Sequence, residues 1–341
     1  MLISMLLACC VAAETSNQLP TPANPDATPA ATSVLRFLCE LPERDNNRVL
    51  SGQHCGRGTE VQSLYQEYIV KVHEDTAHWI AMAGTDYGRG RNDTDVPDRR
   101  AANQVLINHW NHGGLVTVTW HGSNPWTRGT AWQRRITKLT DLTDPDRDVH
   151  ARWMAQLDRV ADSLAELRDA GVVVLWRPFH EMNGGWFWWG RREPADYVTL
   201  WKHMFDYFVK TKHLNNLLWV YAPSTTSSSP AISFYPGDDS CDIVELDHYA
   251  EGLELRGYAE LTAIGKPFGI TEIGPQRDLR GNYDYAKLLV AIRERYPNTV
   301  FFPSVGLGLV ALKKQERGGH ARRSVDDRPR RVATIQHTVG Y

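Results

Sequence analysis

Eight short apolar runs recur along the chain, each closed by Gly, Pro or a polar residue, with amphipathic stretches between them. They fall at 48–52, 79–84, 115–120, 172–176, 217–221, 242–246, 268–271 and 299–303. Runs this short, rich in Val, Ile, Leu and aromatic residues, read as strands buried on both faces, the mark of a parallel sheet. Between them the spacing predicts helices. Over 152–170 a single stripe carries Trp153, Leu157, Val160, Leu164 and Leu167, and 197–211 and 283–296 are similar. The repeat is one of pattern, not of sequence. Eight alternating strands and helices predict an α/β fold, a (β/α)8 barrel, with an open doubly wound sheet as the competing architecture.

In such a barrel, chemistry sits at the C-terminal ends of the strands. The unusual residues fall there: Trp120 and His121 after the third run, His180 and Glu181 after the fourth, Asp247 to Tyr249 after the sixth, and Glu272 after the seventh. The fourth is the most informative. Pro178 should end the ladder, Glu181 follows, and after Gly184 and Gly185 come Trp186, Phe187, Trp188 and Trp189. An acid beside flat apolar surfaces suits chemistry on a sugar ring: the acid protonates a glycosidic oxygen and the rings cover pyranose faces. The bland alternative is a tryptophan-rich core with a salt-bridging Glu at a strand end. Glu272 tips the balance, since two Glu residues on two strand ends supply the parts for double displacement, with carboxyls about 5–5.5 Å apart. Burial beside Phe179 and Trp186 would keep Glu181 protonated. Glu272 needs donors, and Tyr249 and Arg177 are the candidates. Arg177 has an equally good structural reading, an ion pair in the barrel floor, and His180 could be a core histidine.

The 38 basic and 40 acidic residues nearly balance, so no overall field recruits nucleic acid or an acidic membrane. Residues 1–13 are apolar and too short to span a bilayer, and they read as an export signal. Leu6 to Cys9 resembles a lipoprotein cleavage box that would leave a lipid on Cys9, the only membrane attachment foreseen. Val11 to Ala13 offers ordinary signal-peptidase cleavage and a secreted protein. Residues 14–33, rich in Thr, Pro and Ala, read as a flexible linker, and 34–303 as the catalytic domain. Of Cys39, Cys55 and Cys241, the first two are the candidate disulfide, against three unpaired thiols. Asp247 and His248 are a conceivable metal pair. No His-x-His strand or His-Glu-x-x-His helix completes a site, so neither metal nor cofactor is expected.

These motifs carry a resemblance. Ser51 to His54, Gly84 to Tyr87, Trp120-His121 with Asn124-Pro125, Arg177-Pro178-Phe179-His180-Glu181 through Trp186, Leu246 to Tyr249, and Thr271 to Gly274 occur in the order found in glycoside hydrolase family 26. The chain resembles that family from about Asn47 to Phe302. Most members are endo-β-1,4-mannanases, and the resemblance implies a retaining mechanism on mannan, galactomannan or glucomannan. Glu181 would be the acid/base and Glu272 the nucleophile. His180 would sit near the reacting sugar, Tyr249 would orient the nucleophile, and Trp186 would form the sugar platform. His121 and Asp247 would line the cleft, with Trp126, Trp189 and Arg177 as further substrate-binding candidates.

The C-terminal part departs from that pattern. Family members usually end the eighth strand in a tryptophan and add a helix, whereas here 304–341 is basic and Gly-broken. It reads either as a solvated tail or as the product of a frameshift near Phe302. Its arginines lack interleaved aromatics, which argues against nucleic-acid binding. A barrel without its last strand would expose two edges. Two alternatives to mannan cleavage therefore stand beside it. One is a β-1,3-xylanase or mixed-linkage β-glucanase on the same scaffold, the other a non-catalytic carbohydrate-binding barrel. A monomer is the default for an enzyme that must approach a polymer.

Overall fold

The computed structural model describes residues 20–89, 98–250, 252–274 and 284–305. Helix α1 (Pro29–Glu40) comes first. The Thr28 hydroxyl accepts from the Ala31 N–H at 3.1 Å, and Pro29 occupies the first helical position, where its missing N–H costs nothing. Ala31, Val34, Leu35 and Leu38 face inward. They pack against Leu50, Met82, Leu115 and Leu175 at the N-terminal ends of strands, closing the barrel floor. The expected linker therefore ends early. Ala23 donates its N–H to Asp242 and Asn24 is buried, so the Thr, Pro and Ala residues near position 30 serve as cap, first turn and plug.

The strands are β1 (Leu50–His54), β2 (Met82–Asp86), β3 (Leu115–Trp120), β4 (Val174–Pro178), β5 (Leu217–Tyr221), β6 (Ile243–Tyr249), β7 (Phe268–Gly274) and β8 (Thr299–Val305). All pair in parallel in chain order, and β8 closes on β1, which excludes the open sheet. Between β1 and β2 lie α2 (Glu60–Tyr65), a π-turn (Gln66–Val70) and α3 (Lys71–Thr76). Then come α4 (Arg99–Asn111), α5 (Asp148–Asp169), α6 (Pro194–Asp206) with a π-turn (Tyr207–Thr211), α7 (Tyr258–Thr262) and α8 (Tyr285–Arg295). The stripe expected on α5 is wholly buried.

Three differences from the expected pattern have physical reasons. Several strands run past the apolar run that announces them, because Gln53, Asp86 and Arg177 still pair in the ladder, and Asp86 and Arg177 carry charged groups into the barrel mouth. Pro178 ends the ladder from within it: it is the last residue of β4, in register with Trp120. The barrel also keeps its last strand, since β8 extends to Val305 and pairs with β1 over five positions. The hydroxyl of Tyr285 on α8 meets Ser304 at 2.5 Å. Residues 1–19, with the expected signal and Cys9, lie outside the described residues, as does the tail from 306 onward.

Cys39, Cys55 and Cys241 are all free thiols. Cys39 sits on α1 under the floor, whereas Cys55 follows the far end of β1. A five-residue strand, roughly 16 Å at 3.3 Å per residue, separates those two levels. A disulfide requires Cα atoms within about 7 Å.

Candidate active site

The chain leaves β4 in a strained turn. Phe179 and Glu181 both take positive φ, 49° and 53°, a conformation costly for residues with a Cβ and held only where the surroundings enforce it. The Glu181 N–H donates to the Ala222 carbonyl at 2.6 Å, which fixes the turn against the end of β5. Glu181 is only 9% exposed, and its Oε2 accepts from the indole N–H of Trp186 at 2.5 Å. Burial, and then the negative charge of Glu272, raise its pKa to about 7. Trp186 lies close over Gly184, where a Cβ would stand 2.2 Å from the ring. The first of the two glycines before the aromatic cluster is thus a seat for that ring.

Glu272 owes its place to an irregularity. Between the pairs Leu246–Ile270 and His248–Ile273, β7 carries one residue more than β6, so Thr271 and Glu272 share the space opposite Asp247. Such a bulge re-aims a side chain. The Oε1 of Glu272 accepts from Arg177 Nη1 at 2.7 Å and its Oε2 from the Tyr249 hydroxyl at 2.9 Å. Its backbone N–H donates to Asp247 Oδ1 at 3.2 Å. Burial is the largest single influence and pushes this carboxyl up, but the Arg177 guanidinium together with the groups around it outweighs burial and holds the carboxyl well below the usual carboxylate range. One carboxyl is kept protonated and the other ionised, which is the division of labour acid and nucleophile require.

Arg177 joins both readings given to it. Fully buried, it reaches Glu245 Oε2 through Nε at 3.3 Å, Asp247 through Nη2, and Glu272 and Thr119 Oγ1 through Nη1. It is an internal ion-pair centre and also the main donor to Glu272.

Histidines line the other side. His121 Nδ1 lies 2.7 Å from Asp86 Oδ2, and its ring stacks on Trp132 with centroids 4.8 Å apart. Its Nε2 faces His180 Nε2 at 3.2 Å, and that atom is 3.9 Å from Glu272 Oε1. His54, at the end of β1, is half-buried, and desolvation lowers its pKa to about 4, so it stays neutral.

Several expected roles change. Trp189 is fully buried, donating its indole N–H to the His180 carbonyl, and cannot touch a sugar; Trp188 is equally buried. Both belong to the tryptophan core. Asp247 is fully buried and spent on Arg177 and the backbone of Glu272, so it supports the site without lining the cleft. His180 is also buried, beneath the surface a sugar would touch. Trp126 is half-buried on the loop after β3, with its indole N–H on Thr137 Oγ1 at 2.8 Å. His248 spends its nitrogens on Thr225 and on the Gly252 carbonyl, which leaves neither member of the Asp247–His248 pair free as a ligand. Trp132 and Glu245 join the site unannounced, and Asp86 joins it after figuring only inside the Gly84–Tyr87 motif, with no role of its own. The strand-end rule reaches Asp86 once β2 is extended past Gly84, whereas Trp132 and Glu245 carry no local signal.

Comparison with known proteins agrees with this geometry. Residues 23–306 match the model of glycosyl hydrolase family 26. The mannan endo-1,4-beta-mannosidase A and B of Caldalkalibacillus mannanilyticus is 35% identical over 294 residues, 82% of this chain; the chain spans 56% of that protein's length. A mannan endo-1,4-beta-mannosidase of Bacillus subtilis is 36% identical over 295 residues, covering 82% of this chain and 81% of that protein. The solved structure of a Bacillus subtilis mannanase superposes with a TM-score of 0.79 at 33% identity, over 86% of this chain and 91% of that one. The fold, the paired carboxylates and these relatives agree: the chain belongs to glycosyl hydrolase family 26.

Proposed function

We propose that the protein is a retaining endo-β-1,4-mannanase. One observation carries the reading: two Glu residues on the mouths of β4 and β7, one raised to about 7 and the other held ionised by Arg177 and Tyr249. In the first step Glu272 attacks the anomeric carbon. The glycosidic C–O bond breaks, and Glu181 gives its proton to the departing oxygen. In the second step water attacks the same carbon, its proton passes to Glu181, and Glu272 leaves as carboxylate. Half-buried Trp186, tied to the acid, is the platform for the sugar under attack, and Tyr249 and Arg177 keep Glu272 aimed. The named activity of both bacterial relatives supports mannan as substrate. Export, with cleavage after the segment 1–13 or a lipid on Cys9, and action as a monomer complete the proposal.

The test is reducing-sugar release from glucomannan, galactomannan, β-1,3-xylan and barley β-glucan, with Glu181→Ala and Glu272→Ala in parallel. Cleavage of the two mannans, lost in both variants and giving first-formed products of retained β configuration by proton NMR, is the expected result. Preferential cleavage of xylan or glucan would reassign the substrate. Binding without cleavage by the folded protein would make it a carbohydrate-binding barrel.

A further inference from the structure

The histidines beside Glu272 form a line whose protons can be placed by elimination. Asp86, at the end of β2, accepts at Oδ1 from the N–H groups of Gly88 at 2.7 Å and His121 at 3.1 Å. Its Oδ2 meets His121 Nδ1 at 2.7 Å, with Arg57 Nη2 3.7 Å away. A carboxylate only accepts, so His121 must carry hydrogen on Nδ1. The next contact joins His121 Nε2 to His180 Nε2 at 3.2 Å, and one of the two must donate. His180 Nδ1 is buried with no partner. A hydrogen there would be a buried donor without an acceptor, whereas a bare lone pair is the cheaper orphan. His180 therefore carries its hydrogen on Nε2 and donates to a bare His121 Nε2. That same N–H edge is the one 3.9 Å from Glu272 Oε1.

We propose that Asp86 is a positioning residue for Glu272: by holding the hydrogen of His121 on Nδ1, it makes His180 turn an N–H edge, not a lone pair, toward the nucleophile. The opposite tautomers would set the lone pair of His180 Nε2 beside a carboxylate and bury an unpaired N–H at Nδ1. The arrangement accounts for why His121, stacked on Trp132 with its side chain 12% exposed, has both ring nitrogens committed inward. It rests on reading Glu272 as the nucleophile, although the placement of the hydrogens does not.

The experiment is nitrogen-15 NMR of the histidine-labelled full chain at the pH of maximal activity, with signals assigned from His121→Phe and His180→Phe, alongside kinetics on mannopentaose. The wild type should show His121 protonated at Nδ1 only and His180 at Nε2 only. In Asp86→Asn, whose amide donates toward Nδ1, His121 should move its hydrogen to Nε2. The kcat should then fall about tenfold or more, with KM changed by less than about twofold, as expected when a tautomer is misplaced and binding is not. A melting curve close to that of the wild type certifies the fold. His121 protonated at both nitrogens in the wild type, unchanged tautomers in the variant, or inverted tautomers with undiminished kcat would each overturn the proposal. The NMR arm needs no turnover, so a protein that cleaves no mannan still tests the proton line.

Discussion

The indole N–H of Trp186 donates to Oε2 of Glu181 at 2.5 Å, so the ring that would carry the sugar and the acid that would protonate its oxygen move as one unit. This bond favours the ionised carboxyl, while burial and the charge of Glu272 favour the protonated one and prevail, giving about 7. A general acid must hold its proton, so kcat/KM should decline as pH rises through about 7. Trp186→Phe keeps a ring but removes the donor, and the alkaline limb should shift to higher pH. A pH profile on a soluble manno-oligosaccharide checks both. A limb that stays in place or moves down would refute the assignment of this bond.

Arg177 and Tyr249 divide the two oxygens of Glu272 between them. Tyr249→Phe removes one bond to a charged group, worth about 1.5–3 kcal/mol, and kcat/KM should fall roughly 10- to 100-fold with the fold intact. Arg177→Met is different in kind. It leaves Glu245, Asp247 and Glu272 buried without their cation, and breaking such a set costs about 3–5 kcal/mol. Denaturant titration should show the larger loss for Arg177→Met and, for Tyr249→Phe, no more than about 1.5–3 kcal/mol, the worth of the single bond.

Much of this was legible in the chain, for identifiable reasons. The strands of a (β/α)8 barrel are buried on both faces, so they announce themselves as apolar runs, and the rule that chemistry follows strand ends singles out Glu181, Glu272 and Tyr249 without coordinates. Polar residues inside the ladder were harder. Asp86 and Arg177 look like strand ends but are strand members, because the upper barrel interior is built from paired charges instead of hydrocarbon. Tryptophans were harder still. Trp186 and Trp189 are three residues apart and chemically identical, yet one is half-buried beside the acid and the other is core. Only the turn at Gly184 decides which way each ring points. Glu245 lies mid-strand, and nothing nearby in sequence reveals that its partner comes from β4.

Gly184 offers a test of that turn. A Cβ there would sit 2.2 Å from the Trp186 ring, well inside any real contact. Gly184→Ala should push the indole off Glu181 and so reproduce Trp186→Phe in the position of the alkaline limb, with a further rise in KM from the displaced platform. The unfolding free energy should fall by about 1–3 kcal/mol, the usual cost of overpacking. Unchanged KM and pH profile would show that the ring accommodates the methyl without leaving the acid.

Glu245 provides the last test, one of stability. It is fully buried beneath Arg177, and burial, only partly offset by that guanidinium, raises its pKa from 4.5 to about 7. A carboxyl raised in the folded state contributes stability that is complete below its unfolded pKa and lost as pH climbs through the folded value. The wild type should therefore weaken between about pH 5 and 8 by an amount that includes this group, on the order of 1–3 kcal/mol at 1.36 kcal/mol per unit. Glu245→Gln preserves the shape of the protonated form and has nothing to ionise. Its unfolding free energy relative to wild type should improve steadily from pH 5 to pH 8. A difference independent of pH would mean that Glu245 is ionised throughout, paired with Arg177 across the whole range.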